Sequence, residues 1–289
     1  MPTPVIELRN VSVSYGDTEV LSNIDLTIQE GEFLAIVGFT GSGKTTLVNL
    51  MTGLLRPTSG EVLYRGEPIT GPAPERGIIF QNYSLLPWYS VYQNVALSVN
   101  EVYPDWDRDK RDAHIRRFID MVGLSHATDK PPGELSGGMR QRTSIARVLA
   151  TDPDLLLMDE PLGALDALTR GNLQDEILKI WSANRRTAVL ITNDVDEGIL
   201  MADRVIPLTP GPRAGLGPQY RVDIDRPRDK TALNSDPNFK RVRTELMNYL
   251  VTLGEAARTE RDDSIQLPEL QPIMPGTRSF VSRLRRRAS

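Results

Sequence analysis

Gly38-Phe39-Thr40-Gly41-Ser42-Gly43-Lys44-Thr45-Thr46 fits the pattern G-x-x-x-x-G-K-[ST]. Glycines at this spacing let a loop wrap phosphate oxygens with its own N–H groups, and a helix starting at the lysine adds its dipole. Lys44 would then neutralise the β- and γ-phosphates of a nucleotide, and Thr45 would ligate Mg²⁺. A second signal is Leu155-Leu156-Leu157-Met158-Asp159-Glu160, an apolar run ending in two carboxylates. At the C-terminal end of a strand these would emerge beside the phosphate loop, Asp159 toward the metal and Glu160 as general base for an attacking water. A third is Leu135-Ser136-Gly137-Gly138-Met139-Arg140-Gln141. Here Ser136, Gly137 and Gly138 would open a helix whose first amides can hold a phosphate.

These residues need elements to hold them. Phe33–Val37, Ile78–Phe80, Leu155–Met158 and Ala188–Ile191 are unalternating and apolar, as strands covered on both faces would be. Ile24, Leu26 and Ile28 alternate with polar residues, the period of a half-buried strand. Ile115, Phe118, Ile119 and Val122 fall at helical spacing, with Asp105 or Asp107 as a start signal and Gly123 as a stop. Strands alternating with helices predict an α/β fold. Residues of about 90–150 hold no comparable strand run and read as a mainly helical subdomain.

Three regions follow from the texture of the chain. Residues 1–208 form the α/β domain. Residues 209–253 are a Pro- and Gly-rich connector, then a helix over about Pro237–Leu253, where Val242, Leu246, Tyr249 and Leu250 share a face. Residues 254–289 read as a disordered basic tail, whose last 19 residues carry five arginines and no acid.

Composition narrows the function. Among 289 residues, 34 Lys and Arg against 38 Asp and Glu leave a net charge of −4, a poor match for a duplex-wide nucleic-acid binder. Cysteine is absent, which excludes thiolate metal sites and a catalytic thiol, and the two histidines, His114 and His126, leave little for a zinc site. No apolar run approaches a membrane span, and the start lacks the pattern of a secretory signal, so the expectation is a cytoplasmic chain.

Taken in order, the motifs resemble the ATP-binding subunit of ABC transporters over about residues 5–208. Leu135–Gln141 is similar to that family's LSGG-x-x-Q signature, with Met139 where Gln is common. Gly38–Thr46 looks like its Walker A, and Leu155–Glu160 like its Walker B with the catalytic glutamate. Gln81 stands where a Q-loop glutamine touches Mg²⁺ and water. Ala164-Leu165-Asp166 matches the D-loop, and Tyr15 stands where an aromatic stacks on adenine. The resemblance implies a P-loop ATPase core with a RecA-like mixed sheet, an antiparallel β-subdomain and a helical subdomain. It implies ATP and Mg²⁺ as ligands and a head-to-tail dimer, homo or hetero. In that dimer each nucleotide, held by Gly38, Thr40, Gly41, Ser42, Gly43, Lys44, Thr45 and Thr46 of one chain, meets Ser136, Gly137, Gly138 and Asp166 of the other. It also implies transmembrane permease subunits docking near Asn82–Trp88, where exposed Leu85, Leu86 and Trp88 would line a groove. The resemblance further implies an indirect role for a periplasmic or lipoprotein solute-binding protein, no nucleic-acid partner, and action at the cytoplasmic face of the membrane. Soluble members acting in DNA repair or translation usually carry coiled-coil insertions or tandem cassettes, and this chain has neither.

One position departs from the family. A histidine that contacts the γ-phosphate should follow Ala188–Ile191, and Ile191-Thr192-Asn193-Asp194 puts Asn193 there. An amide donates a hydrogen bond but never becomes cationic. The expectation is slower hydrolysis with near-normal ATP binding, unless a partner ATPase keeps the histidine or neighbouring groups compensate. Within the family, Asn82–Trp88, Gly163–Arg170 and Asp194–Gly198 resemble the nitrate/sulfonate/taurine importers. Leu208–Pro212 and Asp225–Asp229 lean toward the nitrate and bicarbonate branch. The readings carried forward are a nitrate importer, a sulfonate, taurine or bicarbonate importer, and a weakly hydrolysing regulatory cassette.

Overall fold

Phe33–Gly38 is buried along its whole length because it runs through the middle of a six-stranded sheet. The computed structural model describes residues 4–163, 165–184 and 186–264. In chain order the elements are β1 (Pro4–Tyr15), β2 (Thr18–Gln29), β3 (Phe33–Gly38), α1 (Lys44–Thr52), β4 (Ser59–Tyr64), β5 (Glu67–Pro68) and β6 (Arg76–Ile79). Next come α2 (Val91–Val102), α3 (Arg108–Met121), α4 (Gly137–Leu149), β7 (Leu155–Asp159), α5 (Ala167–Asn184) and β8 (Thr187–Thr192). The described residues end with α6 (Val195–Met201), β9 (Arg204–Leu208), β10 (Tyr220–Arg221), α7 (Lys230–Leu233) and α8 (Pro237–Ser264).

The larger sheet has the order β10-β9-β3-β8-β7-β6, parallel except for the edge strand β10. The smaller sheet, β2-β1-β4-β5, is antiparallel. Its alternating face, with Ile24, Leu26 and Ile28 turned inward, closes over α1 and one side of the large sheet. The opposite side of that sheet packs against α2–α6 and α8 in a second apolar cluster. Fully covered strands carry continuous apolar runs for this reason. Ile78 is the exception: β6 lies at the sheet edge, so only Ile79 of that strand is fully buried.

Between Val91 and Leu149 the elements are helices and short 3₁₀ turns. Asp107, rather than Asp105, caps α3 by accepting from the Lys110 amide, and Gly123 ends it in a left-handed conformation. The α8 helix buries Phe239, Val242 and Leu246 and runs on to Ser264, beyond the expected end at Leu253. Gly254 costs a helix only about 1 kcal/mol, and the Glu255-Ala256-Ala257-Arg258 run that follows consists of strong helix formers. The expected basic tail from residue 265 onward lies outside the described residues. Leu85 and Leu86 are half-buried rather than exposed, because the Asn94 side chain, from α2, pins the Leu86 backbone at both its N–H and its C=O. Trp88 is exposed.

Candidate functional site

Sheet order does the assembling. The C-terminal ends of β3, β8, β7 and β6 stand side by side, with Val37 level with Thr192 and Ile191 level with Asp159. Each end delivers part of the site: the phosphate loop from β3, Asn193 from β8, the two carboxylates Asp159 and Glu160 from β7, and Gln81 just past β6. This is the edge of an α/β sheet where ligands bind.

The loop itself follows from local geometry. Gly43 has φ +93° and precedes the first helical residue, Lys44. A side chain there would be strained and would lie 2.9 Å from Leu21 Cδ2. The first amides of α1 have no carbonyl partner within the helix and face the loop, the arrangement that holds phosphates. Thr40, Gly41, Gly43, Lys44, Thr45 and Thr46 line a cleft of about 300 Å³, with half-exposed Tyr15 also in its wall. Gly38 and Ser42 sit behind it, and the buried Ser42 hydroxyl has no hydrogen-bond partner among the described residues.

At the floor, Lys44 is buried, and its ammonium donates to Gly38 O (3.1 Å), Phe39 O (2.9 Å) and Asn193 Oδ1 (2.7 Å). It also pairs with Glu160 Oε1 at 3.2 Å. Asn193 uses both ends of its amide: Oδ1 accepts from Lys44, and Nδ2 donates to Glu160 Oε1 at 2.8 Å. Gln81 Nε2 donates to the other carboxylate oxygen at 3.2 Å. Glu160 therefore has a cation and two amides around it. Its backbone is left-handed at φ +46°, a conformation rare for residues other than glycine, which turns the chain sharply out of β7.

Asp159 lies one residue deeper and is buried, which pushes its carboxyl above the usual range despite a 2.8 Å hydrogen bond from Thr45 Oγ1. A hydroxyl and a desolvated carboxylate form a hard-oxygen set that suits Mg²⁺, the counter-charge that would reverse this shift. The residues present therefore fit both a triphosphate and its metal.

Two groups lie elsewhere on the chain. Ser136 caps α4 by accepting from the Met139 amide, so Gly137 and Gly138 form its first turn. Asp166 Oδ1 accepts from the Thr169 amide at the start of α5, which holds its carboxyl below the usual range. Neither group lines the phosphate cleft of its own chain. Ala164 lies outside the described residues.

A second cleft adjoins the first. Gln81, Glu160 and Asn193 line it with Arg170, Arg243 and Met247. Local sequence carries no signal for Arg243, whose partner, Asp196, is 47 positions away. Glu197 of α6 is also buried here, and desolvation pushes its carboxyl up despite hydrogen bonds from Gln174 and Thr192. A raised folded pKa means the folded state resists ionisation. Stability is intact below the ordinary carboxylate range and is lost as pH rises through the folded value. Glu197→Gln, which keeps an oxygen for Gln174, should raise Tm at pH 8 by roughly 2–4 °C, equivalent to ~1 kcal/mol, and by less at pH 5. Paired thermal scans at the two pH values check this.

Parallel sheet, phosphate loop and clustered carboxylates together define a P-loop nucleotide-binding domain. Comparison with known proteins takes this further. A family model described as ABC transporter matches residues 21–163. The bicarbonate transport ATP-binding protein CmpC of Synechococcus elongatus is 48% identical over 250 residues, 85% of this chain and 38% of that protein. The nitrate import ATP-binding protein NrtC of the same organism is 48% identical over 243 residues, 84% of this chain and 37% of that protein. The chain thus spans little more than a third of these longer relatives. The bicarbonate transport ATP-binding protein CmpD of Synechocystis sp. is 42% identical over 252 residues, 86% of this chain and 89% of that protein. A solved dimeric ATP-binding cassette, MJ0796 in a post-hydrolysis state bound to ADP and Pi, superposes with a TM-score of 0.70 at 28% identity, covering 76% of this chain and all of that one. This chain belongs to the family of ABC transporter ATP-binding proteins.

Proposed function

We propose that the chain binds and hydrolyses ATP with Mg²⁺ to energise an importer of a small inorganic anion, with nitrate as the first reading. The observation that supports it best is the cluster of Lys44, Asn193, Glu160 and Gln81 at the mouth of the phosphate loop. Thr45, Gln81 and Asp159 would hold Mg²⁺, which supplies charge neutralisation along the transferring phosphate. Lys44 binds phosphate oxygens, Glu160 takes the proton of the attacking water, and Gln81 and Asn193 orient the Glu160 carboxylate. Ser136, Gly137, Gly138 and Asp166 act on a second subunit's nucleotide across a dimer, which explains why they lie outside their own chain's cleft. Residues 1–208 are the cassette and 209–253 its C-terminal brace. Among the described residues no helix is long and apolar enough to cross a membrane, so permease subunits carry the path, with Trp88 on the docking face.

Bicarbonate is the second reading, because relatives named for the two anions match at the same 48% identity. The ATPase does not touch the anion, and uptake of ¹⁵N-nitrate against ¹⁴C-bicarbonate in cells lacking this chain separates them.

Steady-state hydrolysis tests the core reading. Asn193→His should raise turnover by roughly threefold to tenfold by adding a charge-assisted donor to the developing phosphate charge. It should also make turnover rise as pH falls through about 6.5, where an imidazole becomes cationic. Wild type should lack this acid-side rise. A wild type as fast as Asn193→His at every pH would sink the idea that Asn193 slows the reaction.

A further inference from the structure

Asn193 stands next to Asp194, the N-cap of α6, a helix of only seven residues. So short a helix has little stability of its own and takes its orientation from what grips it. Its apolar face is buried against the central sheet, where Gly198 lies close to Val37, Ala35 and Val205, and its polar ends are held by the C-terminal segment. At the far end of α6, Arg228 Nη1 donates to Ile199 O (2.8 Å), Leu200 O (3.0 Å) and Ala202 O (2.7 Å), and Arg226 Nη2 donates to Met201 O (2.6 Å). At the near end, Asp194 caps the helix by accepting from the Asp196 and Glu197 amides. There Arg243 of α8 donates from Nε to Asp196 Oδ1 at 2.6 Å. Arg170 stands 3.7 Å from the other side of the cap, at Asp194 Oδ2.

We infer that Arg243 is a positioning residue for hydrolysis: through Asp196 it sets the first turn of α6 and thereby holds the Asn193 amide where its Nδ2 meets the Glu160 carboxylate. Three observations carry this. The Arg243–Asp196 pair is about half exposed on both sides, so it adds little to global stability, and α8 is already anchored by Phe239, Val242 and Leu246. Arg243 lines the same cleft as Asn193, Glu160 and Gln81. Asn193 bridges two groups at 2.7 and 2.8 Å, a geometry that a small rotation of the following turn would break. The C-terminal segment thus contributes to catalysis without touching the reacting atoms. This inference rests on the proposed role of Asn193.

The experiment compares wild type, Arg243→Ala, Asn193→Ala and the double variant. Arg243→Ala should lower kcat roughly threefold to tenfold, with KM for MgATP within about twofold of wild type and Tm nearly unchanged. Asn193→Ala should lower kcat at least as much, and adding Arg243→Ala to it should produce no further loss. Arg243→Lys, or the exchange Arg243→Asp with Asp196→Arg, should recover part of the rate. In protein labelled with ¹⁵N-asparagine and free of nucleotide, the Asn193 side-chain NH₂ pair, assigned by its loss in Asn193→Ala, should shift in Arg243→Ala. Wild-type turnover in Arg243→Ala, an unmoved NH₂ pair, or an equal fold-loss in both backgrounds would each overturn the inference. Wild-type turnover in Asn193→Ala would instead remove the underlying role of Asn193, and the Arg243 proposal with it.

Discussion

Lys44→Ala should weaken ATP binding by about 100-fold, measured by equilibrium titration of the purified chain with a fluorescent nucleotide. Lys44 is the one cation bonded in the floor of the cleft among the described residues. Its ammonium is already desolvated, so little further hydration is lost when phosphate oxygens replace Glu160 and Asn193 as its partners. A charged hydrogen bond of this kind contributes about 1.5–3 kcal/mol, and a desolvated site brings the total toward ~3 kcal/mol, which is about two decades in Kd. The variant should still fold. Glu160 sits near the surface, so water can solvate the carboxylate that alanine leaves unpaired, unlike a pair broken in a dry core. Arginine is no substitute, since its planar fork cannot place one compact charge against both Gly38 O and Phe39 O. Binding within threefold of wild type in Lys44→Ala would mean that the loop amides alone hold the nucleotide.

How much of this site was legible beforehand depends on distance along the chain. Gly38–Thr46 announces its own loop because strand end, glycines and helix start are contiguous, and each residue's role is set by its immediate neighbours. Ser136 was readable as a helix start, and the start of α3 as Asp105 or Asp107, for the same reason: a capping side chain bonds to an amide three residues ahead. The insertion of β8 between β3 and β7 is different. It depends on which apolar runs pair, and runs as alike as Leu155–Met158 and Ala188–Ile191 carry no label for their order. Without that order, the bridge from Lys44 through Asn193 to Glu160 could not be read, although each residue had been singled out. Arg228 and Arg243 lie further still from inference. An arginine in a polar stretch is usually a solvated one, and only the packing of the connector against α6 turns these two into caps and struts. The last turns of α8 were not legible because the apolar face that marks the helix fades after Leu250, while strong helix formers carry the backbone on to Ser264.

Glu160→Gln should reduce kcat by about 10²–10⁴-fold, the range expected for loss of a general base, while ATP binding stays within threefold of wild type. The two effects separate because the residue has two roles in the geometry. As a hydrogen-bond acceptor it is replaceable: the glutamine oxygen can keep the bonds from Asn193 Nδ2 and Lys44, and Gln81 can rotate its amide to offer oxygen to the new NH₂ group. As a proton acceptor it is not, since a carboxamide has no useful basicity near neutral pH. The neighbouring carboxylate, Asp159, is buried against the Thr45 hydroxyl, a setting that suits a metal ligand better than a base for water. Removing a negative charge next to the γ-phosphate also relieves repulsion, so binding should hold or tighten. The check is single-turnover hydrolysis alongside nucleotide titration on the same preparation. Weakened binding together with lost turnover would point to collapse of the Lys44–Asn193–Glu160 arrangement. Turnover within threefold of wild type would mean that some other group activates the water.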